Sequence, residues 1–120
     1  MGNVEANCQL EERTLVFAVA CVRFAATFPR SEAGTIIGRQ LLKAGTSIGA
    51  NYREANRAES REDFEHKTAV VLKEAAETDY WIELCARVEF GDPALRVSLG
   101  QEARELLVIF TTINRKSKGR

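Results

Sequence analysis

The fold class of this chain is decided by the stretch QLLKAGTSIGANYREA, which occupies positions 40–55. In and just before this stretch, apolar residues recur at the three- and four-residue spacing of an α-helix. They are Ile37, Leu41, Ile48, Tyr52 and Ala55. Small residues crowd the middle of the predicted helix, at Gly45, Ser47, Gly49 and Ala50. Each glycine there costs about 1 kcal/mol relative to alanine, so we expect another helix to pack close to this backbone.

Helical spacing continues along nearly the whole chain, which is 120 residues long and therefore the size of one domain. Turn and cap signals divide it: Phe28-Pro29 with Ser31 as an N-cap, Ser60 with Asp63, and Gly91-Asp92-Pro93. The predicted helices cover about residues 8–27, 32–58, 61–89 and 93–114, followed by a basic, frayed tail at 115–120. Because the connections are short, sequential helices should be antiparallel neighbours. The sequence predicts an all-α, up-down-up-down four-helix bundle.

Each of the other helices also has one apolar stripe that is predicted to face the core. The stripes are Leu15, Val19, Val22 and Ala26 on the first helix, Phe64, Val71, Ala75 and Ile82 on the third, and Leu95, Leu99, Leu106, Phe110 and Ile113 on the fourth.

The first and third helices each have a second apolar stripe, more than one bundle core accepts. A soluble monomer rarely exposes such a patch, so we predict that the second stripes contact another copy of the chain. The predicted interface residues are Phe17, Phe24, Val70, Glu74, Glu77, Trp81, Leu84 and Val88. A wide core stripe on a helix buried between two others is the alternative.

Glu74 and Glu77 lie in or beside the second stripe of the third helix, where carboxylates need partners. A carboxylate-bridged metal site pairs glutamate with histidine three residues on, but the single histidine, His66, projects from another side of the helix. We therefore predict no metal and no cofactor, and we expect cation partners from the second helix of the same or a neighbouring chain.

Composition argues against several classes of protein. Seventeen Lys and Arg balance seventeen Asp and Glu, so the chain has no net positive charge that would attract it to nucleic acid or anionic membranes. No stretch approaches the roughly 20 apolar residues that span a bilayer. Three separated cysteines suit reduced thiols and a cytoplasmic protein. No glycine-rich phosphate loop, nucleophile elbow or metal-ligand cluster is present, and we predict no enzymatic activity and no catalytic residues.

A local basic patch is predicted on the second helix, opposite its core stripe. Arg39, Lys43, Arg53 and Arg57 fall within about 40° of one line at 100° per residue. This basic ridge is a candidate contact for phosphates of RNA or DNA. The tail would add its own cations, Arg115, Lys116, Lys118 and Arg120. An ordinary solvated face, or pairing with carboxylates of the third helix, explains the ridge equally simply.

The stretch 40–55 resembles the hallmark of the four helix bundle protein family, first noted in open reading frames within intervening sequences of bacterial large-subunit ribosomal RNA. Phe28-Pro29, Ser60–Phe64 and Lys73–Thr78 fit the same pattern, so the resemblance runs from about Leu15 to Phe110. It implies a non-catalytic bundle that assembles into a homopentameric ring. A related branch, the accessory variability determinant of diversity-generating retroelements, implies nucleic acid and a reverse transcriptase as further partners.

Overall fold

The computed structural model describes residues 3–119 and contains four α-helices. They are α1 (Val4–Ala25), α2 (Glu32–Ala55), α3 (Arg61–Val88) and α4 (Pro93–Gly119). Consecutive helices pack side by side and α4 also contacts α1, so that α1 and α3 lie on one diagonal of the bundle and α2 and α4 on the other. The predicted antiparallel four-helix bundle is confirmed.

The predicted N-caps all form. The Ser31, Ser60 and Asp92 side chains each accept a hydrogen bond of 3.0 Å from the backbone N–H three residues on. Such a bond satisfies one of the free N–H groups in the first turn and typically stabilises a helix by about 1 kcal/mol. Capping therefore accounts for where α2, α3 and α4 begin.

The C-terminal end of α4 differs from the prediction. Residues 115–119 continue the helix instead of forming a frayed tail. Two buried polar side chains explain this, because Asn114 donates to Thr68 Oγ1 at 3.1 Å and the Ser117 hydroxyl donates to the Asn114 carbonyl at 2.7 Å. A buried polar group without such bonds would be costly. The Asn114 contact therefore keeps this part of α4 against α3, and the Ser117 bond supports the last turn of α4 from within the helix.

The interior of the bundle contains most of the predicted stripes of α2, α3 and α4. Its fully buried members include Leu41, Ile48, Val71, Leu106 and Phe110. Leu95 is an exception: we predicted that it faces the core, but it lies in the first turn of α4 and is 42% exposed. Because α1 and α4 make little contact with each other, a groove remains between them. Leu95 lines this groove and does not reach the core.

On α1 the two apolar stripes have exchanged roles. Phe17 and Phe24, predicted to meet another chain, are 1% and 0% exposed inside the chain's own core, whereas the predicted core residues are exposed. The exposed ones are Leu15, Val19, Val22 and Ala26. An aromatic ring removes more apolar surface from water than a valine does, so the aromatic stripe gains more from facing inward. The prediction that Phe17 and Phe24 form an interface is therefore wrong.

Two of the small residues in the middle of α2, Gly45 and Gly49, face α1, whereas Ala50 is exposed. A Cβ added to Gly45 would lie 2.5 Å from Cys21 Sγ, and one added to Gly49 would lie 2.9 Å from Thr14 Oγ1. Thr14 and Cys21 are themselves fully buried and small. The helix that we expected to pack against this backbone is thus α1 of the same chain.

Candidate interaction surfaces

The largest run of exposed apolar side chains lies on α1. We call Leu15, Val16, Val19 and Val22 the α1 apolar face; each is between 43% and 57% exposed. Val16 was in neither of the two predicted stripes. Around the helix axis it lies about 100° from Leu15, at the border of the exposed side. The excess of apolar surface on α1 therefore persists, but on the side opposite to the one we predicted.

A second apolar surface runs along α3. We call Val70, Trp81, Leu84 and Val88 the α3 edge; Val88 is 42% exposed and the other three are half-buried. The neighbouring Tyr80 is 59% exposed and its ring meets the Trp81 ring edge-on at 5.0 Å. The other helices of the same chain cover the α3 edge only in part. Each of its four side chains therefore keeps an exposed portion that a partner could contact.

Glu74 and Glu77, the two carboxylates beside the α3 edge, form no ion pair with a cation among residues 3–119. Glu77 accepts a hydrogen bond of 3.3 Å from Trp81 Nε1. Both Glu74 and Glu77 are half-buried, so water still reaches them. The expected ion pairs between these two carboxylates and the cations of α2 do not form within one chain. Partial exposure lets water solvate the carboxylates instead.

The basic ridge is on the exposed side of the bundle, but not all its members are equally free. Arg39, Lys43 and Arg57 are exposed and form no ion pair with the rest of the described chain. Arg53 lies 3.9 Å from Glu11 of α1, which partly neutralises its charge. The ridge thus offers three available cations spaced along one helix and its C-terminal turn.

The structure does not bring the ridge and the tail together. Arg115, Lys116 and Lys118 are exposed in the last turns of α4, the helix diagonally opposite α2. Arg120 lies outside the described residues. In a single chain, the two sets of cations therefore lie on different sides of the bundle.

Two of the three thiols, Cys21 and Cys85, are buried as structural residues, whereas Cys8 is exposed. Burial raises the pKa of the Cys21 thiol to about 12 and that of the Cys85 thiol to about 11, so both stay protonated and unreactive at neutral pH. Between residues 3 and 119, no three His, Cys, Asp or Glu side chains are grouped so that they could hold a metal ion. Over the same range, no helix has the length and apolar character that crossing a bilayer requires.

One strong ion cluster ties α1 to α4. Arg13 forms a two-pronged contact with Glu102, at 2.7 and 2.8 Å, and a further one with Glu105 at 2.8 Å. Hydrogen bonding to Glu102 raises the pKa of the Arg13 guanidinium above its ordinary value, which keeps it charged at any physiological pH. The sequence did not predict this cluster. It links α1 to α4, the neighbouring helices with the least contact between them.

Comparisons with known proteins agree with this architecture. A model of the 23S rRNA-intervening sequence protein family matches residues 7–112. Among solved structures, the chain is similar to a protein of unknown function from the S23 ribosomal protein family of Bacteroides thetaiotaomicron. The two are 36% identical, the match covers 87% of this chain and 96% of that one, and the TM-score is 0.79. No curated protein matches the chain. The sequence resemblance is confirmed, and the chain belongs to the 23S rRNA-intervening sequence protein family.

Proposed function

We propose that this chain is a non-catalytic scaffold protein that works as a homo-oligomer, with the α1 apolar face as a contact between copies. The observation that carries the proposal is the exposure of four large aliphatic side chains on one side of a single helix. Soluble monomers rarely leave a contiguous apolar patch of this kind in water. Covering it with a second copy removes that surface from solvent at each contact.

The positions of the two apolar surfaces favour a ring. The α1 apolar face and the α3 edge lie on diagonally opposite helices, so one chain presents two different surfaces. When one surface of a chain binds a different surface of the next, the contacts are head-to-tail, and they close into a ring if the rotation allows. Five copies is the number that the family resemblance implies. The reduced, widely separated cysteines favour the cytoplasm as the compartment.

Light scattering coupled to size exclusion tests the assembly. We expect the unaltered chain to elute as an oligomer at micromolar concentration. Val19→Glu with Val22→Glu should yield a folded monomer, because two carboxylates would be buried without partners in the contact. The matched control is Val97→Glu with Val108→Glu, two exposed valines of α4 outside both surfaces, which should leave the mass unchanged. A monomeric parent chain, or a control that dissociates equally, would refute the proposal.

A second candidate function is binding of nucleic acid through the basic ridge. Its support is specific: Arg39, Lys43 and Arg57 are exposed without carboxylate partners among residues 3–119. The description of the family also refers to intervening sequences of 23S rRNA. Copies arranged in a ring would repeat the ridge and add their fields. A reverse transcriptase, implied by the related branch, would be a protein partner of the same assembly.

Salt-dependent binding to a fluorescent RNA or DNA oligonucleotide tests the ridge. Arg39→Glu with Lys43→Glu should weaken binding at low salt and reduce the slope of log K against log salt by about 2, since each lost phosphate contact removes roughly 0.9. Arg87→Glu with Arg104→Glu changes the net charge equally on α3 and α4, and should have a much smaller effect. If both pairs weaken binding alike, the ridge has no special role.

A further inference from the structure

All four helices contribute to a cavity of about 750 Å³ at the end of the bundle where α2 and α4 finish. Its apolar lining comes from Tyr52 of α2, Phe64 of α3 and Ile113 of α4, with Ala6 of α1 beside them. This volume lies within the range typical of small-molecule sites, about 300–1,000 Å³. Neither the apolar surfaces nor the basic ridge described above uses this cavity.

The floor of the cavity is held in place by the core. Tyr52 is 3% exposed, and its ring meets the Phe110 ring edge-on at 5.2 Å. Its hydroxyl donates a long hydrogen bond, 3.4 Å, to Asn7 Oδ1 and also interacts with the Asn56 side chain. Burial raises the pKa of Tyr52, so the phenol keeps its proton and remains a donor at neutral pH. The cavity thus has a rigid aromatic floor with one weakly used donor.

The charged residues that line the cavity have one sign, although Glu11 lies near enough to act on Tyr52. Arg61 and Lys116 are the only charged residues among those that line it, and neither forms an ion pair with another described residue. Arg61 is also the first residue of α3, whose first turn combines the positive end of the helix dipole with two carboxylates, Glu62 and Asp63. An anionic group near the rim would be attracted by the Arg61 and Lys116 side chains.

We propose that this cavity binds an amphipathic organic anion, with its apolar body against Tyr52, Phe64 and Ile113 and its acidic group between Arg61 and Lys116. The site goes beyond the function proposed above and does not depend on it. Four of its lining residues, Ala6, Ile113, Lys116 and Ser117, lie outside the segment that matches the family. The family match alone therefore does not supply the site.

Fluorescence titration with 8-anilinonaphthalene-1-sulfonate, an apolar dye with one anionic group, tests the site. We expect saturable binding of one dye per chain, weakened about tenfold or more by Arg61→Glu with Lys116→Glu, because both attractive charges become repulsive. The matched control, Arg115→Glu with Lys118→Glu, makes the same change in net charge on exposed residues that do not line the cavity. It should change the affinity less than twofold. Equal weakening by both variants would overturn the proposal.

Two further arms separate this site from nonspecific binding. Decanoate should displace the dye, whereas decyltrimethylammonium, with a chain of the same length and the opposite charge, should not; equal displacement would overturn the role of the cations. The Val19→Glu, Val22→Glu variant should keep the dye affinity of the parent. Loss of dye binding in that variant would place the dye on the α1 apolar face and refute the cavity site.

Discussion

Replacing Phe24 with alanine is expected to lower the free energy of unfolding by about 3–5 kcal/mol, the usual cost of removing a fully buried phenylalanine. Phe24 is 0% exposed, and its ring meets that of Phe28 edge-on at 5.0 Å. It also lies against Gly91, so alanine would leave a cavity under the α3–α4 connection. Urea denaturation followed by circular dichroism measures the change.

The matched control is Val22→Ala, two positions earlier on the exposed side of α1. Val22 is 52% exposed, and an exposed substitution away from special features changes stability by only about 0.5 kcal/mol. Denaturation is followed at a concentration where light scattering finds single chains. If Val22→Ala were the more damaging substitution, the assignment of the two sides of α1 would be reversed, and with it the proposed contact between copies.

Gly45→Ala is expected to destabilise the bundle by about 1–3 kcal/mol through overpacking. The added Cβ would lie 2.5 Å from Cys21 Sγ, and both residues are fully buried. An exposed helical glycine gives the opposite result, because alanine is favoured over glycine by about 1 kcal/mol in a helix interior. The sign of the change therefore reports directly on the close approach of α1 and α2, and thermal or urea unfolding measures it.

A double-mutant cycle isolates the cause. Cys21→Ala removes the sulfur atom that the new Cβ would meet, so the double variant should be more stable than the sum of the two single changes predicts. We expect a favourable coupling of about 1 kcal/mol or more between the two sites. Simple additivity of the two changes would mean that the clash between Gly45 and Cys21 is not what limits packing there.

Much of the fold could be read from local signals. The positions of α2, α3 and α4 follow from caps at Ser31, Ser60 and Asp92, whose hydrogen bonds involve only residues three apart. The small residues of α2 correctly indicated a close helix contact. The basic ridge also needed no tertiary information beyond which side of α2 faces the core. These features depend on helical periodicity, which the sequence contains in full.

The choice between two apolar sides of α1 could not be read in the same way. Periodicity shows that both stripes exist, but not which one meets α2. A signal was present in retrospect: Thr14 and Cys21, seven residues apart on the aromatic side, are the small residues that fit against Gly49 and Gly45. Recognising it requires the register between two helices, which no single helix specifies.

By itself, the sequence determined four helices, the N-caps of three of them, their antiparallel order and the family, because these depend on short-range spacing and on a recognisable motif. Only the tertiary structure decided which side of α1 is buried, that α4 continues past Asn114, and that Arg61 and Lys116 share one cavity. Each of these depends on contacts between residues far apart in the chain, whose energies are settled only when the helices pack together.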